Sequence, residues 1–180
     1  MTNDIAAELA KLHELSGAEF SKQVERIALR KEFYPLRGEK AIYTVGIAGE
    51  DYDNLLAAAR KAVEHGYSVF VLPNPMGVRT ADFIFEYKGI YIMYELKTIQ
   101  GGNSAGSRLS GAVGQSNRIL LHMATNYNAR VLASDIKSYF EGNPHAIEVL
   151  IFKGNKKISV TRRYAANPKF NRMFRKQYEK

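Results

Sequence analysis

Residues 80–97 read Thr80-Ala81-Asp82-Phe83-Ile84-Phe85-Glu86-Tyr87-Lys88-Gly89-Ile90-Tyr91-Ile92-Met93-Tyr94-Glu95-Leu96-Lys97. Aromatic and β-branched residues dominate both halves of this stretch, which favours two strands, and Lys88-Gly89 between them predicts a tight turn. Residues two apart in a strand share a face, so Glu95 and Lys97 point to one side and Leu96 points to the other. The stretch therefore predicts a β-hairpin that places a carboxylate beside an ammonium group.

The same hairpin predicts a cluster of charged groups at one end of the sheet. Asp82 opens the first strand and Glu95 lies near the end of the second, about equally far from the turn, so the simplest register brings them together. Two adjacent carboxylates repel unless a cation joins them, and oxygen ligands suit a hard divalent ion such as Mg²⁺ or Mn²⁺. The pattern predicts a metal site with Lys97 beside it. The alternative is that both carboxylates face solvent and Lys97 forms an ordinary cross-strand ion pair.

The motif Asp82…Glu95-Leu96-Lys97 resembles the signature of the PD-(D/E)XK nucleases. With its flanking segments 66–73 and 81–83, it is similar to the tRNase domain at the C-terminus of contact-dependent growth inhibition toxins of the CdiA type. Related phage and mobile-element proteins share this likeness. The resemblance spans roughly residues 44–163, and Ala81 stands where the signature usually has a proline.

The resemblance implies both a fold and an activity. The fold is mixed α/β, with a mixed central sheet flanked by helices around an αβββαβ core of the restriction-endonuclease type. The activity is that of a metal-dependent endonuclease, a phosphodiester hydrolase acting on RNA and above all on tRNA, with DNA as the other substrate. The implied cofactor is Mg²⁺ or Mn²⁺, with Zn²⁺ as a third choice. The implied partners are nucleic acid and a cognate immunity protein.

The chemistry of phosphodiester cleavage assigns a role to each charged residue of the hairpin. A divalent ion held by Asp82 and Glu95 would activate the nucleophile and neutralise charge at the scissile phosphate. Lys97 would orient the nucleophile and offset the negative charge that develops in the transition state. All three are therefore predicted catalytic residues, and the two carboxylates are predicted metal ligands.

Two further site residues are expected from neighbouring helices. A third carboxylate ligand should come from the helix before the hairpin, where Glu64, Asp53 and Glu50 all qualify and Glu64 is nearest to the next strand. By resemblance, Gln115 on the predicted helix after the hairpin faces the site.

Residues 100–111 are rich in glycine and serine, which predicts a mobile loop beside the site. Flexible backbone N–H groups, serine hydroxyls and a guanidinium suit a phosphate. We therefore expect Ser104, Ser107 and Arg108 to bind substrate, together with Arg118 from the predicted helix that follows. The alternative is an ordinary flexible connector.

Composition limits the remaining classes of function. The chain has 180 residues, enough for one hydrophobic core, and 26 Lys and Arg against 18 Asp and Glu give a formal net charge of +8. Positive charge accompanied by 11 Tyr and 9 Phe suits contacts with phosphates and bases.

The lack of cysteine excludes disulfides and thiolate sites, and the four histidines lack metal-ligand spacing. No signal or membrane-spanning segment is evident, so we expect no membrane partner and a cytoplasmic location, or delivery into a target cell by a route that the chain does not encode.

Hydrophobic periodicity and the turn-rich stretch before residue 39 predict three regions: an N-terminal helical extension over 1–38, an α/β domain over 39–165, and a basic C-terminal helix or arm over 166–180. The resemblance implies that the α/β domain is nuclease-like. The predicted elements are, in order, helices over 4–15 and 18–30, a turn-rich linker over 33–38, a helix ending at 65–66, a strand over 67–72, the hairpin of 80–97, a helix over 112–126, a strand over 130–132, a helix over 133–140 and a hairpin over 148–162. The tail after 162 either binds RNA or packs Phe170, Phe174 and Tyr178 on the core.

Two rival functions fit parts of the sequence. A metal-independent ribonuclease of the barnase or colicin type would use Lys97, Thr98, His122 or Arg108 for acid–base chemistry on a ribose 2′-hydroxyl. A non-catalytic nucleic-acid-binding or phage structural protein would need none of these residues. Dependence on a metal ion separates the first rival from the metal-dependent nuclease, and binding without turnover identifies the second.

Overall fold

The structure, a computed structural model, describes residues 2–46, 52–75, 77–101, 104–113 and 116–180, with side chains from Ile5 onward. Over these residues the chain forms seven α-helices and eight strands. The helices are α1 (Thr2–Lys11), α2 (Gly17–Ala28), α3 (Tyr52–Glu64), α4 (Ala105–Gly111), α5 (Ala129–Gly142), α6 (Arg162–Ala165) and α7 (Phe170–Glu179), with a 3₁₀ turn at Leu12–Glu14. The strands are β1 (Tyr34–Pro35), β2 (Ile42–Thr44), β3 (Ser68–Val71), β4 (Phe83–Tyr87), β5 (Ile90–Ile99), β6 (Arg118–Met123), β7 (Glu148–Lys153) and β8 (Lys156–Thr161).

The strands are hydrogen-bonded in chain order, from β1 to β8, in a mixed sheet. The pairs β2–β3, β5–β6 and β6–β7 are parallel and the other neighbours are antiparallel. The elements α3-β3-β4-β5-α4-β6 follow the order αβββαβ. The predicted mixed α/β fold class is therefore confirmed. The chain divides into two compact units, Met1–Tyr94 and Glu95–Lys180, and they are described separately below.

The N-terminal unit begins with the predicted helical hairpin. Gln23 on α2 donates to the backbone carbonyl of Glu8 on α1 at 3.0 Å, and Ile5 and Ile27 are buried in the same hydrophobic cluster. The predicted linker over 33–38 is wrong in part, because Tyr34 and Pro35 form β1 and pair with β2. Two residues suffice for this edge strand, and a proline is tolerated at an edge.

The hairpin of β4 and β5 has the predicted turn. Tyr87 pairs with Ile90 at the turn and Phe83 pairs with Tyr94 at the far end. Lys88 and Gly89 adopt φ angles of 50° and 78°, the two positive values that a two-residue hairpin turn requires. The turn therefore fixes the register that the sequence predicted.

In the C-terminal unit, one face of β5–β8 carries a buried cluster that also includes residues of α4, α5 and α7. Among its members are Leu121, Ile136, Ile151 and Phe174, all fully buried. The 14 residues of α5 begin at the N-cap Asn128, whose side chain accepts from the Val131 N–H. The unit thus has its own hydrophobic core.

Two predicted elements of this unit are wrong. The helix expected over 112–126 is wrong because residues 118–123 form the strand β6, and the strand expected over 130–132 lies in the first turn of α5. Ile119, Leu120 and Leu121 are consecutive and all buried, which is typical of a central parallel strand covered on both faces. Periodicity alone does not separate such a short apolar run from a buried helix, which explains the error.

The glycine- and serine-rich segment also differs from its prediction. Ser104 accepts from the Ser107 N–H as the N-cap of α4, and Ala105 and Leu109 are buried in the core cluster. Residues 105–111 therefore pack as a helix, because two apolar side chains at i and i+4 give the segment a buried face. The predicted mobile loop is wrong for these residues, and positions 102 and 103 lie outside the described residues.

Candidate functional site

Glu95 and Lys97 form an ion pair on β5. Lys97 Nζ lies 3.7 Å from Glu95 Oε1, and the side chains are 18% and 5% exposed respectively. Their partners in the parallel register are Ile119 and Leu121, which belong to the buried core cluster. The prediction that the two charged residues share a face is confirmed. Burying a carboxylate without a cation costs free energy. The Glu95–Lys97 pair therefore differs from ordinary charged residues on strand surfaces, which are exposed to solvent.

In the N-terminal unit, Asp82 directly precedes β4 and its backbone is held on both sides. Its N–H donates to the Tyr94 carbonyl at 3.1 Å, and its carbonyl accepts from the Leu72 N–H at 2.9 Å. The side chain is half-buried and the preceding Ala81 is buried. Main-chain bonds therefore fix Asp82 to Leu72, which directly follows β3, and to Tyr94 in the middle of β5, as the predicted register requires.

The expected third carboxylate ligand stays a prediction. Glu64 is the last residue of α3, is 57% exposed and pairs with Lys61 at 3.3 Å. Asp53 is exposed in the first turn of the same helix. Glu50 lies outside the described residues, as does Gln115.

The predicted substrate-binding residues divide into two groups. Ser107 and Arg108 are exposed on α4, and Ser104 caps that helix. Arg118 instead lies within 2.5 Å of Glu148, a buried carboxylate that also accepts from Ser159 at 2.5 Å. Its guanidinium therefore holds β6 and β7 together at their first residues, and a role of Arg118 in substrate binding stays a prediction.

The residues of the metal-independent rival lie on different faces of the sheet. Lys97 and Thr98 are consecutive in β5 and so point to opposite sides. Thr98 pairs in register with His122 of β6, whereas Lys97 shares its face with Glu95. An acid–base pair built from Lys97 and His122 would have to act through the sheet.

Carboxylates are the donor type that a hard divalent ion prefers, and Asp82 and Glu95 stay its predicted ligands. Among the residues that the structure describes, no group of three or more histidine, cysteine, aspartate or glutamate side chains is arranged to hold a metal. Mg²⁺ is commonly held in proteins by one or two carboxylates, with waters and substrate phosphates completing its coordination. Asp82 and Glu95 would suit such a site, whereas a closed structural site would need more ligands.

Sequence reasoning missed the residues that position α4. The Tyr127 hydroxyl accepts from the Ala105 N–H at 3.2 Å and donates to Asp135 at 3.1 Å. A side chain added at Gly106 would come within 3.0 Å of the same carboxylate, so α4 approaches α5 closely at this glycine. No local pattern links Tyr127 to a helix 22 residues earlier in the chain, so the sequence gives no signal for this contact.

Comparison with known proteins gives a weak structural likeness. No protein-family model matches the chain, and no curated protein matches its sequence. A chain of the CdiA-CT/CdiI toxin and immunity complex from Burkholderia pseudomallei is similar in structure, at 13% sequence identity and a TM-score of 0.41. The match covers 64% of this chain and 90% of that chain. A likeness at this level assigns no function.

Within the described part of the chain, none of the helices has the length and apolar character needed to cross a membrane.

Proposed function

We propose that this chain is a metal-dependent nuclease that cleaves phosphodiester bonds, with RNA and above all tRNA as substrate, of the toxin or mobile-element type. One observation carries the proposal: Glu95 and Lys97 form a nearly buried ion pair on one face of β5. The backbone bond from Asp82 to Tyr94, the residue before Glu95, supports Asp82 as the second carboxylate. The choice of tRNA and the toxin setting rest on the resemblance of residues 66–98 to the CdiA-type tRNase domains.

Each side chain has a distinct part in the proposed reaction. Asp82 and Glu95 would hold a divalent ion, Mg²⁺ or Mn²⁺ first and Zn²⁺ as the alternative, which supplies Lewis-acid activation of a water molecule when bound. Lys97 would donate a hydrogen bond to the scissile phosphate as its negative charge increases. Because Lys97 is only 18% exposed, its charge acts where water screens it less than at the open surface. Glu64 is the proposed third carboxylate. A toxin of this type would also have a cognate immunity protein.

Cleavage assays in several metals provide the decisive test. The purified chain is incubated with total tRNA, single-stranded RNA and duplex DNA in Mg²⁺, Mn²⁺, Zn²⁺ or EDTA. We expect cleavage of tRNA in Mg²⁺ or Mn²⁺ and none in EDTA. Undiminished cleavage in EDTA would overturn the metal mechanism, and preferential cleavage of duplex DNA would overturn the choice of substrate.

A non-catalytic nucleic-acid-binding protein is the second candidate. The observation that favours it is the ion pair on β5, because Lys97 already offsets the charge of Glu95 without a metal ion. This candidate predicts RNA binding with no turnover in any of the three metals.

A further inference from the structure

The cations of the C-terminal unit fall into two sets according to what they contact. One set is engaged within the unit, as counted over the residues described. Its members are Lys97 with Glu95, Arg118 with Glu148, Arg175 with Glu179, Lys153 and Lys156 with the Tyr178 carbonyl, and Arg162 with the carbonyls of Phe140, Asn143 and Ala146. The second set includes a row of exposed cations on α7 and at its two caps. Arg172 and Lys176 lie on the helix, and Lys169 and Lys180 are its N-cap and C-cap.

These four residues, the basic stripe, are aligned along one face of α7 and its caps. Their spacings of three, four and four residues keep them within one side of a helix. Phe170, Phe174 and Tyr178 occupy the opposite side and are fully buried. Since the aromatic side is packed in the core, the basic stripe faces solvent.

The basic stripe has no carboxylate of its own. Glu179 is the one acidic residue of α7, and it pairs with Arg175 at 3.6 Å. Within the described ranges, no ion pair involves any of the four stripe cations. Like charges at i and i+4 destabilise a helix by about 0.2–0.5 kcal/mol per pair. The stripe is therefore an unfavourable arrangement for the folded chain alone, and an anionic partner would relieve it.

The helix that carries the stripe is held firmly at its C-terminal end. Lys153 and Lys156 from β7 and β8 donate to the Tyr178 carbonyl at 3.0 and 2.9 Å. The Lys153 ammonium also lies 3.7 Å from the centre of the Tyr178 ring, a cation–π contact. The stripe is thus presented on an anchored helix, which lowers the ordering cost of binding.

We propose that the basic stripe of α7 binds the phosphate backbone of a polynucleotide. This inference deepens the proposed nuclease function and rests on it. A straight row of evenly spaced cations complements a polymer with one charge per unit, whereas carboxylates on a protein surface are irregularly spaced. The aromatic rings of α7, which could otherwise stack on bases, are buried in the core. The stripe would therefore contact only the phosphates of the polynucleotide, and its binding would not depend on base sequence. The cations of the basic stripe would therefore bind the phosphates of the substrate strand electrostatically along α7.

A binding assay without turnover tests the inference. The probe is a fluorescently labelled RNA stem-loop with 2′-O-methyl riboses, used in EDTA, so that neither metal-dependent nor 2′-hydroxyl chemistry proceeds. Anisotropy gives the dissociation constant of the full chain from about 50 to about 200 mM salt. The stripe variant carries Lys169→Gln, Arg172→Gln, Lys176→Gln and Lys180→Gln. The matched control loses the same charge from exposed positions of the N-terminal unit, with Lys22→Gln, Arg26→Gln, Lys31→Gln and Lys40→Gln.

The stripe variant should lose both affinity and salt dependence. With a slope of about −0.7 to −0.9 per neutralised phosphate, removing four contacts flattens the plot of log K against log salt by about 3. Binding near 0.1 M salt should weaken on the order of 1,000-fold. The control should change the slope by less than about 1. Equal losses in both variants, or an unchanged stripe variant, would overturn the inference, and so would polyglutamate that competes as well as RNA at equal charge. Because binding is measured without turnover, failure of the chain to cleave RNA leaves this result standing.

Discussion

The two compact units of this chain differ in charge far more than the whole-chain value suggests. Residues 95–180 hold 15 Lys and Arg against 5 Asp and Glu, a net charge of +10, while residues 1–94 hold 11 against 13, a net charge of −2. The overall +8 is therefore a property of one unit alone. Affinity for a polyanion should reside in the C-terminal unit, whereas the N-terminal unit contributes Asp82 to the proposed chemistry.

Asp82→Asn tests most directly whether the proposed chemistry and RNA binding depend on different units. If Asp82 and Glu95 together hold the catalytic metal, Asp82→Asn and Glu95→Gln should each lower kcat/KM by about 1,000-fold or more, comparable to or larger than the loss of one transition-state donor. Both variants should bind RNA as tightly as the unaltered chain does, because neither residue belongs to the basic stripe. Single-turnover cleavage of tRNA in Mg²⁺ measures the first effect, and anisotropy measures the second.

Glu86→Gln serves as the control for these variants, since Glu86 lies on the same hairpin and accepts from the Gly89 N–H. It should retain cleavage. Full activity of Asp82→Asn would mean that the N-terminal unit supplies no metal ligand at this position, and that the proposed carboxylate pair is incorrect.

Phe174→Ala tests whether the aromatic side of α7 is structural. Phe174 is fully buried in the core cluster of the C-terminal unit, so its truncation should lower the free energy of unfolding by about 3–5 kcal/mol. Met173, its neighbour, is 41% exposed, and Met173→Ala should stay within about 0.5 kcal/mol. Urea unfolding followed by circular dichroism measures both. Similar values for the two variants would show that α7 is not anchored by its aromatic side.

Arg162→Ala tests the division of the cations into engaged and exposed sets. The Arg162 guanidinium donates to the carbonyls of Phe140 and Ala146 at 2.8 and 3.0 Å, near the end of α5. Removing it leaves these acceptors without their donor, so stability should fall by about 2–3 kcal/mol. Arg163→Ala, at an exposed position one residue later, should change stability by no more than about 0.5 kcal/mol. Thermal melts of the two variants compare them directly, and equal melting temperatures would contradict the structural role of Arg162.

The hairpin shows what a sequence can predict well. Its register follows from local chemistry, because Lys88-Gly89 permits the turn and alternation then assigns each side chain to a face. The helical hairpin of α1 and α2 and the hairpin of β7 and β8 were predicted for the same reason. In each case one local period determines the outcome. For α7 the sequence left two alternatives, and the structure shows the one in which Phe170, Phe174 and Tyr178 pack on the core.

The errors lie where long-range contacts decide the structure. β6 is a strand because it pairs with β5 and β7 on both sides, which the sequence of 118–123 alone does not reveal. Likewise α4 packs through Tyr127 and Asp135, which belong to a later part of the chain. For the candidate site, sequence reasoning found the Glu95–Lys97 pair, since both lie on one strand. It left the third carboxylate open, because that choice depends on how a helix lies against the sheet.

The smallest expected effect concerns alkaline pH. Burial raises the pKa of the Tyr178 hydroxyl in the folded chain above its ordinary value of about 10. A raised folded-state pKa means that the folded chain keeps a proton which the unfolded chain releases. This contribution to stability is therefore complete below about pH 10 and is lost as the pH rises through the folded pKa. The contribution of Lys153, which contacts the same residue, to the pH dependence of stability has the opposite sign. Burial lowers the pKa of its ammonium group and favours the neutral form, so this contribution becomes more favourable to folding as the pH rises.

Tyr178→Phe separates these two contributions. The variant keeps the buried ring and the backbone carbonyl that Lys153 and Lys156 bind, and it removes only the ionisable hydroxyl. We expect the unaltered chain to lose more stability than Tyr178→Phe between about pH 9 and pH 11, with the two alike near neutral pH apart from a constant offset. Denaturant unfolding at several pH values measures the difference. Parallel curves over the whole range would mean that the hydroxyl reaches solvent in the folded state, and that the end of α7, with Lys180 of the basic stripe, is less firmly held than the contacts of Lys153 and Lys156 indicate.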